Sequence, residues 1–540
     1  MKQKKTVLDK VCSINLMRLL ISLQYLGICL IIFVGCSTHK KQTKTSPNVV
    51  LIMADDLGFS DIGAYGSEIM TPNIDKLAKE GVTFTQFYNI AKCSQSRASL
   101  LTGLYHHQTD LLKRSDNNIT LPEVLGDVGY ETIISGKWHL GDWKQDEDTP
   151  IDRGFNQFFG FLGGAINFYT GEDWGTGNNY MRMGTEEYQV PDNFYATDNF
   201  TDYAIEQVNE AVDKSKPFFL YLSYNAPHFP LQVPKEEIDR YQEVYKSGWD
   251  SIRIGRFKRM KKLGLLNKDW ALSERDTLVP SWETLTPKQK LEEQKLMATY
   301  AGMIDRMDQQ IGRLMDVLET EGISDNTIVL FLSDNGGCPF DFNRTPNKMP
   351  GPSDALRSYN VEWANVSNTP FVKYKQWMHE GGIASPLIMR WPNGLEQNEL
   401  ERTPVHIVDL MPTILGLINV ESPSDFNGKS LLPIEGRSIV ETLGNDSIKV
   451  RKPLFWEFQG SRAVRWGDWK LVAERGNSWE LYNIKKDRTE MNNLASENIE
   501  IVNKLANMYE SWANRVGAVS DSVARNMPLN KRATFTFSKN

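Results

Sequence analysis

The chain has 540 residues, enough for a large core and more than one core usually organises, so a second, smaller domain is expected. Its 40% hydrophobic and 24% charged residues are ordinary for a soluble enzyme. The net charge of −7 speaks against nucleic acid as a partner, and any anionic ligand would need a local basic site.

At the N-terminus, basic residues precede an apolar run from Leu19 to Val34 that Ser22, Gln24 and Gly27 interrupt. The run is short for a membrane span and reads as a secretory signal. Its end, FVGCS, resembles the lipobox of bacterial lipoproteins. That resemblance implies a signal peptide over 1–36, lipidation of Cys36, a linker over 37–46, and an exported protein of the periplasm or outer membrane, held to the membrane only by lipid. A plain cleaved signal or a single N-terminal anchor is the other reading. Removing the signal leaves Cys36, Cys93 and Cys338, which is no disulfide framework. Cys338 reads as an inert buried thiol, while Cys93 asks for a chemical role.

Runs rich in β-branched and aromatic residues read as buried strands at Val49–Met53, Thr132–Ile134, Phe218–Tyr224, Ile328–Leu332 and Pro386–Arg390. Helical patterns lie between them, for example Asn73–Glu80 and Leu291–Glu319. The alternation predicts an α/β fold with a large, mostly parallel central sheet flanked by helices. The first strand runs into Asp55 and Asp56, the second into Lys137 and His139, the third into His228, and the fourth into Asp334 and Asn335. Ligands of open α/β sheets bind outside the carboxyl ends of the strands, so four segments would deliver polar groups to one place. Alone, each has a bland reading: a helix cap, a turn, a satisfied histidine.

Asp55, Asp56, Asp334 and Asn335 make an oxygen-only set suited to a hard divalent cation, calcium or magnesium. No HExxH and no Cys2His2-like spacing points to zinc. Lysines, an arginine and histidines around such a cation describe a site for a tetrahedral oxyanion ester. Cys93 is followed by SRASLLTG, which reads as the first turns of a helix, where free N–H groups attract anions. With Arg97 one turn on, its thiol is expected to have a lowered pKa. A soft thiolate beside a hard cation is an unusual pairing, so conversion of the cysteine is expected.

CSQSRASLLTG resembles the signature of the formylglycine-dependent sulfatases of the alkaline phosphatase-like superfamily, whose pattern is CxPxR or CxAxR with TG downstream. The resemblance runs from about Pro47 to about Ala518 and includes ADDLG at 54 to 58, GKWHLG at 136 to 141, NAPHFP at 225 to 230, SDNGG at 333 to 337 and KQWMHEGGIASPLI at 375 to 388. It implies calcium on Asp55, Asp56, Asp334 and Asn335. It also implies that a maturation enzyme oxidises Cys93 to formylglycine (3-oxoalanine), whose hydrated aldehyde attacks a sulfate ester. Arg97 and Lys137 would stabilise the hydrate, and His139 would take a proton from it. His228 and Lys375 would bind the sulfate and its bridging oxygen. Lys375 is named rather than Lys373 because the family places this lysine five residues before the glutamate of EGG, here Glu380. Gln95 stands where the pattern has proline or alanine, which puts conversion of Cys93 in question.

Substrate choice is expected in the loops at 105 to 110, which offers His107 as a substrate-binding residue beside His106, at 163 to 174 and at 343 to 351. A sulfated glycan is the expected substrate of an exported protein of this kind. The basic run Arg253–Lys262 reads as the solvated face of a helix before it reads as a polyanion track. Beyond about Gly444, AVRWGDWKLV and WELYNIKKD alternate like antiparallel strands and Asn498–Val516 reads as a closing helix. A catalytic domain is therefore expected over 47–443 and a small C-terminal domain over 444–540. The other readings are a phosphodiesterase or phosphonate monoester hydrolase of the same superfamily, and an unmatured protein that only binds sulfated glycans. No GxSxG supports a serine hydrolase.

Overall fold

The segment NVVLIMA, Asn48–Ala54 (β1), is buried along its whole length, as a strand covered on both faces must be. The computed structural model describes residues 46–113, 117–443 and 452–529, so the signal segment and Cys36 lie outside the described residues. The other strands of the main sheet are Val82–Phe84 (β2), Glu131–Lys137 (β3), Gln157–Phe161 (β4), Met181–Met183 (β5), Glu186–Glu187 (β6), Phe218–Ser223 (β7), Thr327–Ser333 (β8), Leu387–Arg390 (β9) and Glu399–Glu401 (β10). Their spatial order is β10-β2-β9-β8-β1-β7-β3-β4-β5-β6. The inner strands β8, β1, β7, β3 and β4 are parallel. The predicted fifth strand, β9, runs antiparallel to β8 and β2. The chain leaves β8 at the carboxyl edge, builds residues 334 to 386, and re-enters the sheet in β9 running back against β8.

The helices that matter below are Pro72–Lys79 (α1), Cys93–Thr102 (α2), Ala196–Asp213 (α3), Gly248–Lys262 (α4) and Pro287–Thr320 (α5). Helix α5 starts on a capping box, with Gln289 N donating to Thr286 Oγ1 at 3.3 Å and Thr286 N to Gln289 Oε1 at 3.0 Å. It buries Leu296, Met303, Met307 and Leu314 along one face and packs on α3. Helix α4 carries the basic run, but two of its arginines turn inward rather than into solvent. Arg256 is fully buried between Asp61 and Glu68, and Arg253 donates to Ser273 Oγ at 2.8 Å. Burial forces this pairing, because an unpaired guanidinium could not be desolvated.

The C-terminal part is a four-stranded antiparallel sheet, Leu454–Phe458 (β11), Ser461–Trp466 (β12), Trp469–Ala473 (β13) and Glu480–Asn483 (β14), covered by Ile499–Val516 (α6). Strand alternation divides its side chains. Trp456, Phe458, Ala463 and Val472 join the main core, while Val464, Leu471 and Leu481 meet Leu505, Tyr509 and Trp512 of α6. Trp456 Nε1 also donates to Asn89 O at 2.8 Å, close to the start of α2. No helix among the described residues is long and apolar enough to cross a membrane.

Candidate active site

Parallel register aligns the carboxyl ends of the inner strands: Ala54 pairs with Ser333, and Ser223 with both Met53 and Gly136. Asp55 and Asp56 follow β1, Asp334 and Asn335 follow β8, and Lys137 closes β3, so all five reach one edge. Each is buried. Glycine is required at 136, because at φ 109° a Cβ would sit 2.0 Å from Ser223 O. Asp56 and His139 are themselves held at positive φ, 67° and 59°, a conformation that costs energy and collects at functional sites.

Cations and carboxylates interlock around Cys93, the first residue of α2. Lys137 Nζ lies 2.7 Å from Asp55 Oδ2, and Lys375 Nζ contacts Asp56 Oδ1. Arg97, one turn into α2, reaches Asp334 Oδ2 with Nε at 3.1 Å and Nη2 at 2.8 Å. Its Nη1 donates to Ser223 Oγ, Tyr221 OH and Lys137 O. His228 Nε2 lies 3.4 Å from Asp56 Oδ2, and Asn335 Nδ2 donates to Asp56 Oδ1 at 2.6 Å. Cys93 Sγ is 4.0 Å from that same oxygen. Burial alone would raise the Asp56 carboxyl, but Lys375, His228 and Asn335 outweigh it and hold the group well below the usual range. Burial and the neighbouring Asp55 push Asp334 up to about 6 against the pull of Arg97.

Three buried oxygens in this cluster, Asp55 Oδ1, Asp56 Oδ2 and Asn335 Oδ1, accept no hydrogen bond. Orphaned buried acceptors are costly, and the carboxylates of Asp55 and Asp56 meet that of Asp334 here. One ligand atom each from Asp55, Asp56, Cys93 and Asp334 lies within 4.8 Å of the others. The donor chemistry fits a hard divalent cation on the oxygens.

The lowered thiol pKa expected at the start of a helix is not what the structure gives. Burial pushes the Cys93 thiol up despite Lys137, Lys375 and Lys92. Desolvation of the thiolate exceeds the attraction of the nearby cations. His139 is driven well below its ordinary value by burial and by the surrounding Lys137, Lys92, Arg97 and Lys375. His228 is pushed down to about 3, chiefly by burial. Lys375 moves the other way: burial lowers it, but Asp56 overrides and holds it protonated.

Lys373, two residues from Lys375, pairs instead with Glu474 at 2.8 Å. His107 finds its contacts away from the carboxylate cluster: Nε2 lies 2.7 Å from Glu457, and the ring packs on His106 and Trp512. These contacts make it a joint between the α2 segment and the C-terminal sheet. Cys338 is buried and its thiol is raised by burial, in keeping with an inert role. Sequence reasoning passed over Tyr221 and Ser223, which hold Arg97, and the polar residues in the apolar strand FFLYLS were the available signal. It also passed over Lys92, beside Cys93, and Asn225, whose buried side-chain amide has neither atom paired.

The sulfatase family model matches residues 47–420, and the model for the C-terminal part of N-sulphoglucosamine sulphohydrolase matches 372–514. The chain is 34% identical over 551 residues to an uncharacterized sulfatase of Schizosaccharomyces pombe, covering 92% of this chain and 99% of that one. It is 34% identical over 432 residues to an arylsulfatase of Klebsiella aerogenes, covering 73% and 91%. Among solved structures, Ps i-CgsB in complex with k-i-k-neocarrahexaose superposes with a TM-score of 0.64 at 26% identity, covering 90% of this chain and 96% of that one. A match of that extent, on a chain whose acids and bases meet at one sheet edge, makes it a member of the sulfatase family and a sulfuric ester hydrolase.

Proposed function

We propose that the protein cleaves the S–O bond of sulfate esters on carbohydrate, with an oxygen nucleophile made from Cys93 and a calcium ion on Asp55, Asp56, Asp334 and Asn335. The observation that carries this reading is the set of orphaned oxygens enclosed by Arg97, Lys137 and Lys375 around Cys93. The cation, once bound, supplies charge stabilisation for the sulfate oxygens. Formylglycine at position 93 supplies a hydroxyl in place of a raised, neutral thiol.

The chain's own residues do the rest. Arg97 cannot swing away, because Asp334, Tyr221 and Ser223 fix its guanidinium. Lys137 and Lys375 offset charge on the sulfate. His228 Nδ1 lies 2.6 Å from Phe229 O, so Nδ1 carries the donated hydrogen and Nε2 faces the pocket. An anionic ester there raises the proton affinity of Nε2, which takes up a proton from solvent as the ester binds and then passes it to the leaving oxygen. His139 is neutral and its Nδ1 is buried without a partner, which suits it to accept the proton released at residue 93. The oligosaccharide in the Ps i-CgsB complex supports a carbohydrate substrate, and export as a lipoprotein through Cys36 fits such a task.

Turnover of the sulfate and phosphate esters of one alcohol tests the reaction: the sulfate is expected to react faster, and a faster phosphate would make the protein a phosphodiesterase. Chelating calcium is expected to abolish turnover and to lower the unfolding temperature, since a hundredfold excess of ligand over Kd contributes about 2.7 kcal/mol. Both should return with added calcium. Gln95→Pro is expected to raise the fraction of Cys93 converted, read by mass spectrometry of the peptide spanning it. The ring is tolerated in the first turn of α2, where the first intrahelical bond runs from Ser96 N to Lys92 O, one residue beyond. An unmodified thiol in both proteins would favour a role confined to binding.

A further inference from the structure

Two of the loops, at 163 to 174 and 343 to 351, come together beside His228. The His228 ring stacks on Phe229 at 4.3 Å, Phe229 packs on Phe342 at 5.3 Å, and Trp174 meets both Phe342 at 4.4 Å and Phe229 at 5.6 Å. The Arg344 guanidinium caps this aromatic shelf, 4.9 Å from the Trp174 ring and 5.3 Å from Phe342. Its Nη1 donates to Trp174 O at 3.1 Å and Gly175 O at 3.2 Å. The backbone beneath is anchored as well: Arg344 N donates to Leu356 O and Leu356 N to Thr345 Oγ1.

An arginine normally spends its charge on a carboxylate, as Arg97, Arg256 and Arg357 do here. Arg344 is exposed, and among the described residues no carboxylate pairs with it. Two carbonyls and two rings have already fixed its orientation, so little side-chain entropy is left to lose on binding. Its Nε and Nη2 remain for a ligand, and a guanidinium fork matches the oxygens of sulfate or carboxylate.

We infer that Arg344, seated on Trp174 and Phe342, binds a second anionic group of a multiply charged oligosaccharide whose cleaved sulfate lies at Cys93. This rests on the carbohydrate-sulfate reading above and narrows it: the preferred substrate carries a sulfate or carboxylate beyond the sugar that is desulfated. The aromatic shelf gives that sugar an apolar face to lie on, and Arg344 sets how far along it the second anion falls. The cavity of about 940 Å³ lined by Tyr169, Glu172, Asp192 and Lys235 brings two acids against one lysine, so it does not continue the anion path.

Calorimetric titration of the Cys93→Ala protein, which is expected to leave the sugar uncleaved, separates the contributions. The probes are one disaccharide bearing a single sulfate, the same disaccharide with a sulfate on each ring, and a form with one sulfate and one uronate carboxylate. The doubly charged sugars are expected to bind about tenfold tighter than the singly charged one, the lower range for a hydrogen bond to a charged group. Arg344→Gln should erase that ratio, Arg344→Lys should keep part of it, and higher salt should shrink it in the parent alone. The inference is overturned if Arg344→Gln weakens all probes equally, if the ratio survives the substitution, or if no probe binds. If wild-type protein cleaves no sulfate ester yet the ratio holds, the sulfatase mechanism fails while Arg344 stands. If it cleaves aryl sulfates with no ratio, only Arg344 is refuted.

Discussion

Replacing Cys93 by alanine is expected to lower kcat by about 10⁴-fold or more, the loss seen when an enzyme is left without its nucleophile. Stability should change little, by about 1 kcal/mol, because the substitution removes one buried sulfur and no ion pair. The cluster persists without it: Lys375 on Asp56, Lys137 on Asp55 and Arg97 on Asp334 make no use of the thiol. Activity assays set beside thermal unfolding of the same preparation check both halves. A variant that retains activity would remove Cys93 from the mechanism, and one that unfolds early would show the residue to be structural. The raised thiol pKa adds a second readout. Any unconverted Cys93 should react slowly with alkylating reagents, and the peptide from the native host should carry the mass of the aldehyde rather than of the thiol.

Much of this site was legible because strand ends are local in sequence. NVVLIMADD and IVLFLSDN show an apolar run stopping at carboxylates, and the parallel register then brings Asp55, Asp56, Asp334 and Asn335 together without further instruction. Strand direction was not legible: the apolar residues of Leu387–Arg390 would suit a parallel or an antiparallel neighbour, and only the path of residues 334 to 386 decides. Burial was the other hidden quantity. The start of α2 looked like an electropositive, accessible cysteine, yet Cys93 is 1% exposed, and that number reverses the expected direction of its pKa. The inward turn of Arg253 and Arg256 was hidden for the same reason, since Asp61, Glu68 and Ser273 are far from a sequence window centred on the run. His107 is offered as a substrate residue because the loop at 105 to 110 is one in which substrate choice is expected, and the contact it makes could not be read from the sequence. Its partner Glu457 lies 350 positions away, beyond any spacing argument.

A buried charge network between the C-terminal sheet and the segment that carries Lys375 yields the second large effect. Lys470, on β13, lies 2.9 Å from both Glu380 Oε1 and Glu490 Oε1, with all three side chains fully buried. Arg488 Nε holds the other Glu380 oxygen at 2.7 Å, Tyr88 OH donates to it at 3.0 Å, and Glu380 N donates to Glu490 Oε2 at 2.8 Å. Glu380 closes the segment that carries Lys375, whose own backbone is tied to Gly337 O at 3.2 Å, while Gln376 N donates to Ala91 O at 2.8 Å. The C-terminal sheet therefore fixes one end of the loop that delivers Lys375 to Asp56. Lys470→Met is expected to cost about 3–5 kcal/mol, the range for removing one member of a buried ion pair. It should also lower kcat by up to about 10²-fold, because a shift of about 1 Å in a positioned group costs that much. The pH dependence has a definite sign. Burial already raises Glu490, and loss of Lys470 raises it further, whereas Arg488 still serves Glu380. An acid with a raised folded pKa contributes its full stability below its unfolded value, about 4.3, and loses it as pH rises through the folded one. The gap in unfolding temperature between wild type and variant should therefore widen from pH 5 to pH 8. Lys470→Arg, which keeps the charge, should close most of it and restore kcat. A gap independent of pH, or a restored unfolding temperature without restored kcat, would show that Lys470 supports the sheet and not the placement of Lys375.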